Sequence, residues 1–277
     1  MNDHDLRQRL IPLYEAGEAE AIVRWVLDVR FGLSWADILC GKVEALSADR
    51  QRELEEIMLR LEKGEPVQYV LGVADFCGRQ FHVEPGVLIP RPETAELCRW
   101  IMTQGDGSSV SLLDIGTGSG CIAVTLALEM PETKVTAWDI SDDALRIAQK
   151  NATLLDASVS FRKQDALNPP NDENRWDLIV SNPPYICDRE KATMAQNVTG
   201  YEPHLALFVP DDNPLRFYRA IAHYAVKALK TQGRLYFELN PIYAQETAVM
   251  LQAEGFVETE IRQDQYGKER FLKAMKI

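Results

Sequence analysis

The sequence predicts an α/β protein in which a doubly wound, largely parallel sheet of seven strands follows a small helical bundle and a hairpin-like connector. Three observations carry that prediction. Beyond residue 91, strand-like and helix-like segments alternate, a pattern that yields parallel strands with helices on both faces. Residues 1–70 show helical periodicity instead. The last two strand-like segments are joined only by QYGKE, which forces an antiparallel pair.

In the first domain, expected over residues 1–70, Ile22, Trp25, Val26 and Val29 follow the i, i+3, i+4, i+7 spacing, as do Leu54, Ile57, Met58 and Leu61. Each stripe must find a partner face, hence a bundle, and Gly64 with Pro66 ends the second helix. Residues 71–90, with Gly72, Gly78, Pro85 and Gly86 between β-branched and aromatic pieces, read as the connector. The third domain, residues 91–277, begins with the strand in LLDIG and a helix after Ser119. TKVTAWDI, a helix over 142–155, SVSFRKQD and WDLIVSN follow. Then come a helix near 214–229, GRLYFELN, a helix near 243–253 and the final strands near 256–264 and 270–276.

Composition narrows the function classes. The 277 residues carry 42 acids against 30 bases, a formal charge of −12, and neither part of the chain holds a basic tract. That argues against stable nucleic-acid binding through phosphate contacts. Five scattered cysteines without Cys-x-x-Cys, and four histidines without an i, i+4 pair, predict reduced thiols and no metal site. With no signal-like or membrane-spanning apolar run, a cytoplasmic protein with no membrane partner is expected.

Residues 112–120, LLDIGTGSG, place Gly116, Gly118 and Gly120 between a buried strand and a helix, where the backbone can approach a ligand. Cys121 stands where the dinucleotide fingerprint has its last glycine, which counts against a nicotinamide enzyme. Asp139 ends the next strand about 20 residues on, placed for ribose hydroxyls. Asp165 ends the following strand, placed for an adenine amino group. With Asp114 in LLDIG, these make three acids at successive strand ends, which predict a nucleoside site. After the next strand comes SNPPYI, residues 181–186. Asn-Pro alone is turn punctuation, but a donor-free backbone beside an amide also makes a site that accepts hydrogen bonds.

Together, Asp-x-Gly-x-Gly-x-Gly at 114–120, Asp139 and Asn-Pro-Pro-Tyr at 182–185 resemble the class I S-adenosylmethionine-dependent methyltransferases. More narrowly, the chain resembles the HemK-type release factor glutamine methyltransferase family. GEPVQYVLG (64–72), FCGRQFHVEPGVLIPRPET (76–94), EPHLAL (202–207) and Asp264-x-x-Gly267-x-x-Arg270 extend the likeness over nearly the whole chain. It departs at Ala95, where the family has an acid, at Ala166, a place that can hold an aromatic residue, and at Asn240, where glycine is usual.

The resemblance implies a Rossmann-like methyltransferase sheet, S-adenosylmethionine as cofactor with S-adenosylhomocysteine as product, and no metal. It implies methyl transfer to the glutamine amide of the Gly-Gly-Gln motif in bacterial class I peptide chain release factors, a step in translation termination. Gly116, Thr117, Gly118, Ser119, Gly120, Asp139, Asp165, Ala166 and Asn182 are the implied cofactor contacts. Asn182, Pro183, Pro184 and Tyr185 are the implied catalytic and substrate-binding residues. The Asn182 oxygen and the Pro183 carbonyl would accept the two amide N–H groups, and Tyr185 would cover the amide plane. A glutamine of a ribosomal protein, or an amino group of nucleic acid, suits the same motif. The helical domain is expected to recognise the substrate, with Glu53, Glu55 and Glu62 facing a basic target.

Overall fold

Five consecutive helices open the chain: α1 (Asp3–Leu10), α2 (Ala16–Phe31), α3 (Trp35–Leu39), α4 (Ala48–Leu61) and α5 (Val67–Leu71). The computed structural model describes residues 2–104 and 109–277; Met1, in the expected first domain, and residues 105–108, in the expected third, lie outside them. Capping residues set the helix starts. Asn2 and Ser34 each exchange bonds with the acid three residues on, in capping boxes. The bundle core holds Leu6, Leu10, Ile22, Val26, Leu27, Leu54, Met58 and Leu61. On α2 the buried face is rotated from the expected stripe toward Val23 and Leu27, leaving Trp25 and Val29 only partly covered. This compact unit contains the residues up to Val73 and also Ala195–Tyr201.

The acids expected to face a basic target are paired within this unit. Arg9 bridges Glu55 at 2.7 Å and Glu62 at 2.6 Å, and Arg30 bonds Glu53 at 2.5 Å. Two of the three carboxylates thus hold α4 to α1.

The second unit, Ala74–Met194 and Glu202–Ile277, carries the sheet. A hairpin of β1 (Val73–Phe76) and β2 (Arg79–His82) stands where the connector was expected. Helix α6 (Pro92–Met102) comes next, in a stretch between the expected connector and the first expected strand for which the sequence predicts no element. Pro92 starts it: Arg91 is held extended at ψ 146°, and proline at the first helical position sacrifices no hydrogen bond. Then follow β3 (Ser111–Ile115), α7 (Cys121–Glu129), β4 (Lys134–Asp139), α8 (Asp142–Leu154), β5 (Val159–Lys163) and β6 (Trp176–Ser181).

After β6 the chain makes the short strand β7 (Ile186–Cys187), a 3₁₀ turn (Asp188–Thr193), α9 (Gln196–Tyr201), α10 (His204–Leu207) and β8 (Phe208–Val209), which pairs parallel with β7. Helix α11 (Arg216–Ala228), β9 (Leu229–Glu238), a second 3₁₀ turn (Pro241–Tyr243), α12 (Ala244–Ala253), β10 (Phe256–Gln263) and β11 (Glu269–Lys276) complete the chain.

The seven-stranded sheet has the order β10-β11-β9-β6-β3-β4-β5. Every neighbouring pair is parallel except those made by β11, the last strand, which runs antiparallel between β9 and β10. The expected fold class is therefore the observed one. Alternation along the strands sends Leu113, Ile115, Ile179 and Phe237 to a core beneath α11 and α12. Leu112, Ala137, Val180 and Tyr236 pack on the other face, beneath α6 and α7. From β3 the chain winds outward through β4 to β5, then returns on the other side of β3 as β6. The order reverses there, and in such sheets ligands bind in the crevice outside the carboxyl ends of the strands at that point.

Candidate active site

Both predicted motifs leave the sheet at that reversal. Ile115, last in β3, is in register with Ser181, last in β6, and the Ser181 hydroxyl donates to the Ile115 carbonyl at 2.6 Å. The glycine loop and Asn-Pro-Pro-Tyr therefore start side by side, although 66 residues separate those anchors.

Gly116 and Gly118 have φ of 77° and 55°, and a Cβ on either would meet nothing within 4 Å, so the loop backbone borders open space. Gly120 is different: a Cβ there would lie 3.0 Å from that of Ala148, so its small size seats α7 against α8. The Thr117 hydroxyl turns inward to Asp114 at 2.6 Å, and Ser119 is also buried, with its carbonyl accepting from Asn151 at 2.8 Å. The side chains of those two residues are turned into the protein.

Asp139 accepts from Gly118 N–H on Oδ2 and from Ser141 N–H on Oδ1, each at 2.9 Å. Each oxygen keeps a lone pair for a further donor. Burial pushes this carboxyl up, and the backbone N–H groups of Ser141, Gly118 and Ile140 pull it back. Asp165 caps its own turn, with Oδ1 taking Leu167 N–H at 2.8 Å and Oδ2 the Asn168 amide at 2.6 Å. Ala166 packs against the core under α11 and α12. A loop backbone facing open space beside an acid with spare acceptor capacity fits the adenosyl part of S-adenosylmethionine.

At the neighbouring strand end, the Asn182 Nδ2 donates to the Thr94 hydroxyl at 3.2 Å, so among the described residues Oδ1 is left without a donor. Thr94 donates to Glu238 Oε2 at 2.7 Å, and the Tyr185 hydroxyl donates to Oε1 at 3.0 Å. Pro183 and Pro184 have no N–H to offer. Burial raises the Tyr185 hydroxyl well above the ordinary phenol range, so it stays protonated. Burial also raises Glu238, while Thr94, Tyr185 and the charge of Arg270 act against that rise.

Asn240, the departure from glycine, has φ of −70° and needs no glycine; its amide donates to the Tyr185 carbonyl at 3.0 Å and to Glu190 Oε2 at 3.0 Å. Ala95, another of the three departures, is buried in the core beneath α6 and α7. Thr94 and Glu238 were absent from the expected site. Their signal lay in PRPET and FELNP: Glu238 is one more acid at a strand end, in register with Phe271 on β11.

The fold and the paired motifs at its reversal define a methyltransferase of the doubly wound class. A family model described as "Methyltransferase small domain" matches residues 96–200, and one described as "PrmC N-terminal domain" matches residues 7–72. The release factor glutamine methyltransferase of Bacteroides thetaiotaomicron is 48% identical over 97% of both chains, and that of Streptococcus pneumoniae 37% identical over 94% of this chain and 93% of its own. The chain belongs to the release factor glutamine methyltransferase family. A methyltransferase from Pyrococcus furiosus shares the fold, with a TM-score of 0.53 over 83% of this chain and 99% of its own at 17% identity.

Proposed function

We propose that the protein transfers a methyl group from S-adenosylmethionine to the side-chain amide nitrogen of the glutamine in the Gly-Gly-Gln motif of bacterial class I release factors. The observation that carries this is the state of Asn182. Its Nδ2 is committed to Thr94, so its oxygen is the atom left for an incoming N–H.

A carboxamide nitrogen is a weak nucleophile because its lone pair is delocalised into the carbonyl. Two acceptors aimed at its N–H groups orient it and favour lone-pair character on nitrogen. Asn182 Oδ1 takes one N–H and the Pro183 carbonyl the other, while the proline rings keep competing donors away. The Tyr185 hydroxyl is already spent on Glu238, so the ring covers the amide plane without donating to it. Bound S-adenosylmethionine would supply a methyl group on a sulfonium, which departs as a neutral thioether. The Gly116 and Gly118 backbone and Asp139 would hold it, and the Ser181–Ile115 bond fixes the two halves of the site in register, so alignment supplies much of the rate. The surplus proton of the methylated amide passes to water after transfer.

The helical domain is proposed to recognise the body of the release factor, and a soluble cytoplasmic setting suits that partner. Among the described residues, no helix is long and apolar enough to cross a membrane, and no group of three or more His, Cys, Asp or Glu could hold a metal ion. The test is to incubate the protein with a purified release factor and isotopically labelled cofactor, then map the label by mass spectrometry. The expected result is one methyl group on the Gly-Gly-Gln glutamine. Label on a ribosomal-protein glutamine or on nucleic acid, with the release factor unlabelled, would replace this reading.

A further inference from the structure

Glu238 ends β9 with 1% of its surface exposed, and two hydroxyls converge on its carboxylate, from Thr94 and from Tyr185. An ionised carboxylate has acceptors only. Facing it, both hydroxyls must point their protons inward. The Thr94 oxygen then has only lone pairs left, and what it receives is the Nδ2–H of Asn182.

We propose that Glu238 and Thr94 are positioning residues that set the direction of this hydrogen-bond chain, so that Asn182 presents its oxygen and not its NH₂ group to the substrate. The proposal rests on the reading of Asn182 as an acceptor for the glutamine amide. The orientation of an asparagine amide is decided by its hydrogen-bond network. Run in the opposite sense, with Thr94 donating to Oδ1, the chain would leave Asn182 offering N–H groups to a substrate that also offers N–H groups.

The same carboxylate accepts the Tyr185 hydroxyl bond, so it occupies the Tyr185 donor directly and, through Thr94, one N–H of Asn182. Its surroundings favour ionisation from one side and oppose it from another. Burial opposes ionisation most and Glu93 adds to it, while the Thr94 and Tyr185 hydroxyls and the charge of Arg270, itself held to Asp264 at 3.2 Å, favour it; the Tyr218 hydroxyl donates to the Glu238 main-chain carbonyl at 3.2 Å.

Thr94→Val keeps the side-chain shape and removes the hydroxyl, whereas Thr94→Ser keeps the hydroxyl. Thr94→Val is expected to lower kcat roughly ten- to a hundredfold, less than loss of Asn182 itself, and Thr94→Ser to recover most of that loss. Cofactor affinity, measured by calorimetry, is expected to be unchanged in both. The deciding comparison is a double-mutant cycle: in an Asn182→Ala background, Thr94→Val should slow the reaction no further. An additive loss would make Thr94 a merely structural residue and overturn the proposal.

A second readout needs no turnover. The side-chain amide proton–nitrogen resonance of Asn182, assigned by its disappearance in Asn182→Ala, should move in Thr94→Val and return in Thr94→Ser. A resonance unmoved in Thr94→Val would show that the bond is not made and would also overturn the proposal. If the protein left release factors unmethylated, the proposed function would fall, and the resonance would still decide the relay.

Discussion

The Ser181 hydroxyl reaches the Ile115 carbonyl across 2.6 Å, joining the last residues of the two strands that carry the motifs. Beyond one lies the open glycine loop; beyond the other lies Asn182. Methyl transfer needs donor carbon and acceptor nitrogen in line, and errors of an ångström are expensive. The Ser181 side chain ties the two strand ends together, and on the proposed reading of the site this bond sets that distance before any ligand arrives.

Asn182→Ala removes one of two proposed acceptors for the substrate amide. The expected loss in kcat is roughly a hundred- to a thousandfold, as for removal of one preorganised hydrogen-bond partner. Cofactor affinity should change far less. Steady-state kinetics beside calorimetry check this; near-normal turnover would take Asn182 out of the reaction.

Asp139→Ala addresses the other half of the site. Hydrogen bonds to a charged acceptor contribute about 1.5–3 kcal/mol, so S-adenosylmethionine should bind at least about tenfold more weakly. Release-factor binding should be nearly intact. Because Asp139 also ties Gly118 N–H to Ser141 N–H, Asp139→Asn is the companion variant, keeping one acceptor in place. Equal affinities for all three proteins would move the ribose contact elsewhere.

The ligand-free protein should lose stability as pH rises through the carboxyl-to-neutral range. Burial pushes Asp114 from 3.8 up to about 7, and its Oδ1 is buried without a hydrogen bond. Between those values the folded state keeps a proton that the unfolded chain has released. This group's contribution is therefore greatest at low pH and declines until about pH 7, above which it is level. Asp114→Asn cannot titrate, so its unfolding free energy should fall less across that window, by an amount on the order of a few kcal/mol. Urea melts at several pH values measure the difference; parallel curves for the two proteins would refute it.

Cys77 should be a thiol whose reactivity rises near neutrality. Its sulfur accepts from Cys98, and Arg99 and Arg79 add positive charge, holding it at about 7 instead of 9.0. Cys98, Cys121 and Cys187 are buried. Alkylation followed by peptide mass should show the Cys77 rate half-maximal near pH 7, and Cys98→Ala should shift that midpoint upward. A midpoint unmoved by Cys98→Ala would remove Cys98 as the cause.

The doubly wound sheet, its antiparallel final pair and the crevice at the strand ends were legible in the sequence because they follow from local signals: alternating periodicity, strand-end acids and a short final turn. The glycine loop and Asn-Pro-Pro-Tyr could be located for the same reason. Thr94 and Glu238 could not be joined to Asn182 that way. Their contact depends on Pro92 starting a helix where no element was expected, and on the register that sets the end of β9 beside the end of β6. Register is a property of paired strands and leaves no trace in either strand alone. The charges of α4 show the opposite error: Glu55 and Glu62 look like a free acidic face in the sequence, and Arg9, some fifty residues earlier in the chain, binds them both.

The amino-terminal unit is drawn from two separate stretches of chain, since Ala195–Tyr201 belongs to it and the Tyr201 hydroxyl donates to the Lys63 carbonyl at 2.9 Å. It is therefore not a cassette that a single cut could free. Cleavage after residue 73 would strand a heptapeptide, inside the insertion that follows Asn-Pro-Pro-Tyr, without its folding partner. Any exchange of this unit between relatives, in the laboratory or over evolutionary time, has to carry both stretches together or rebuild the joint between them.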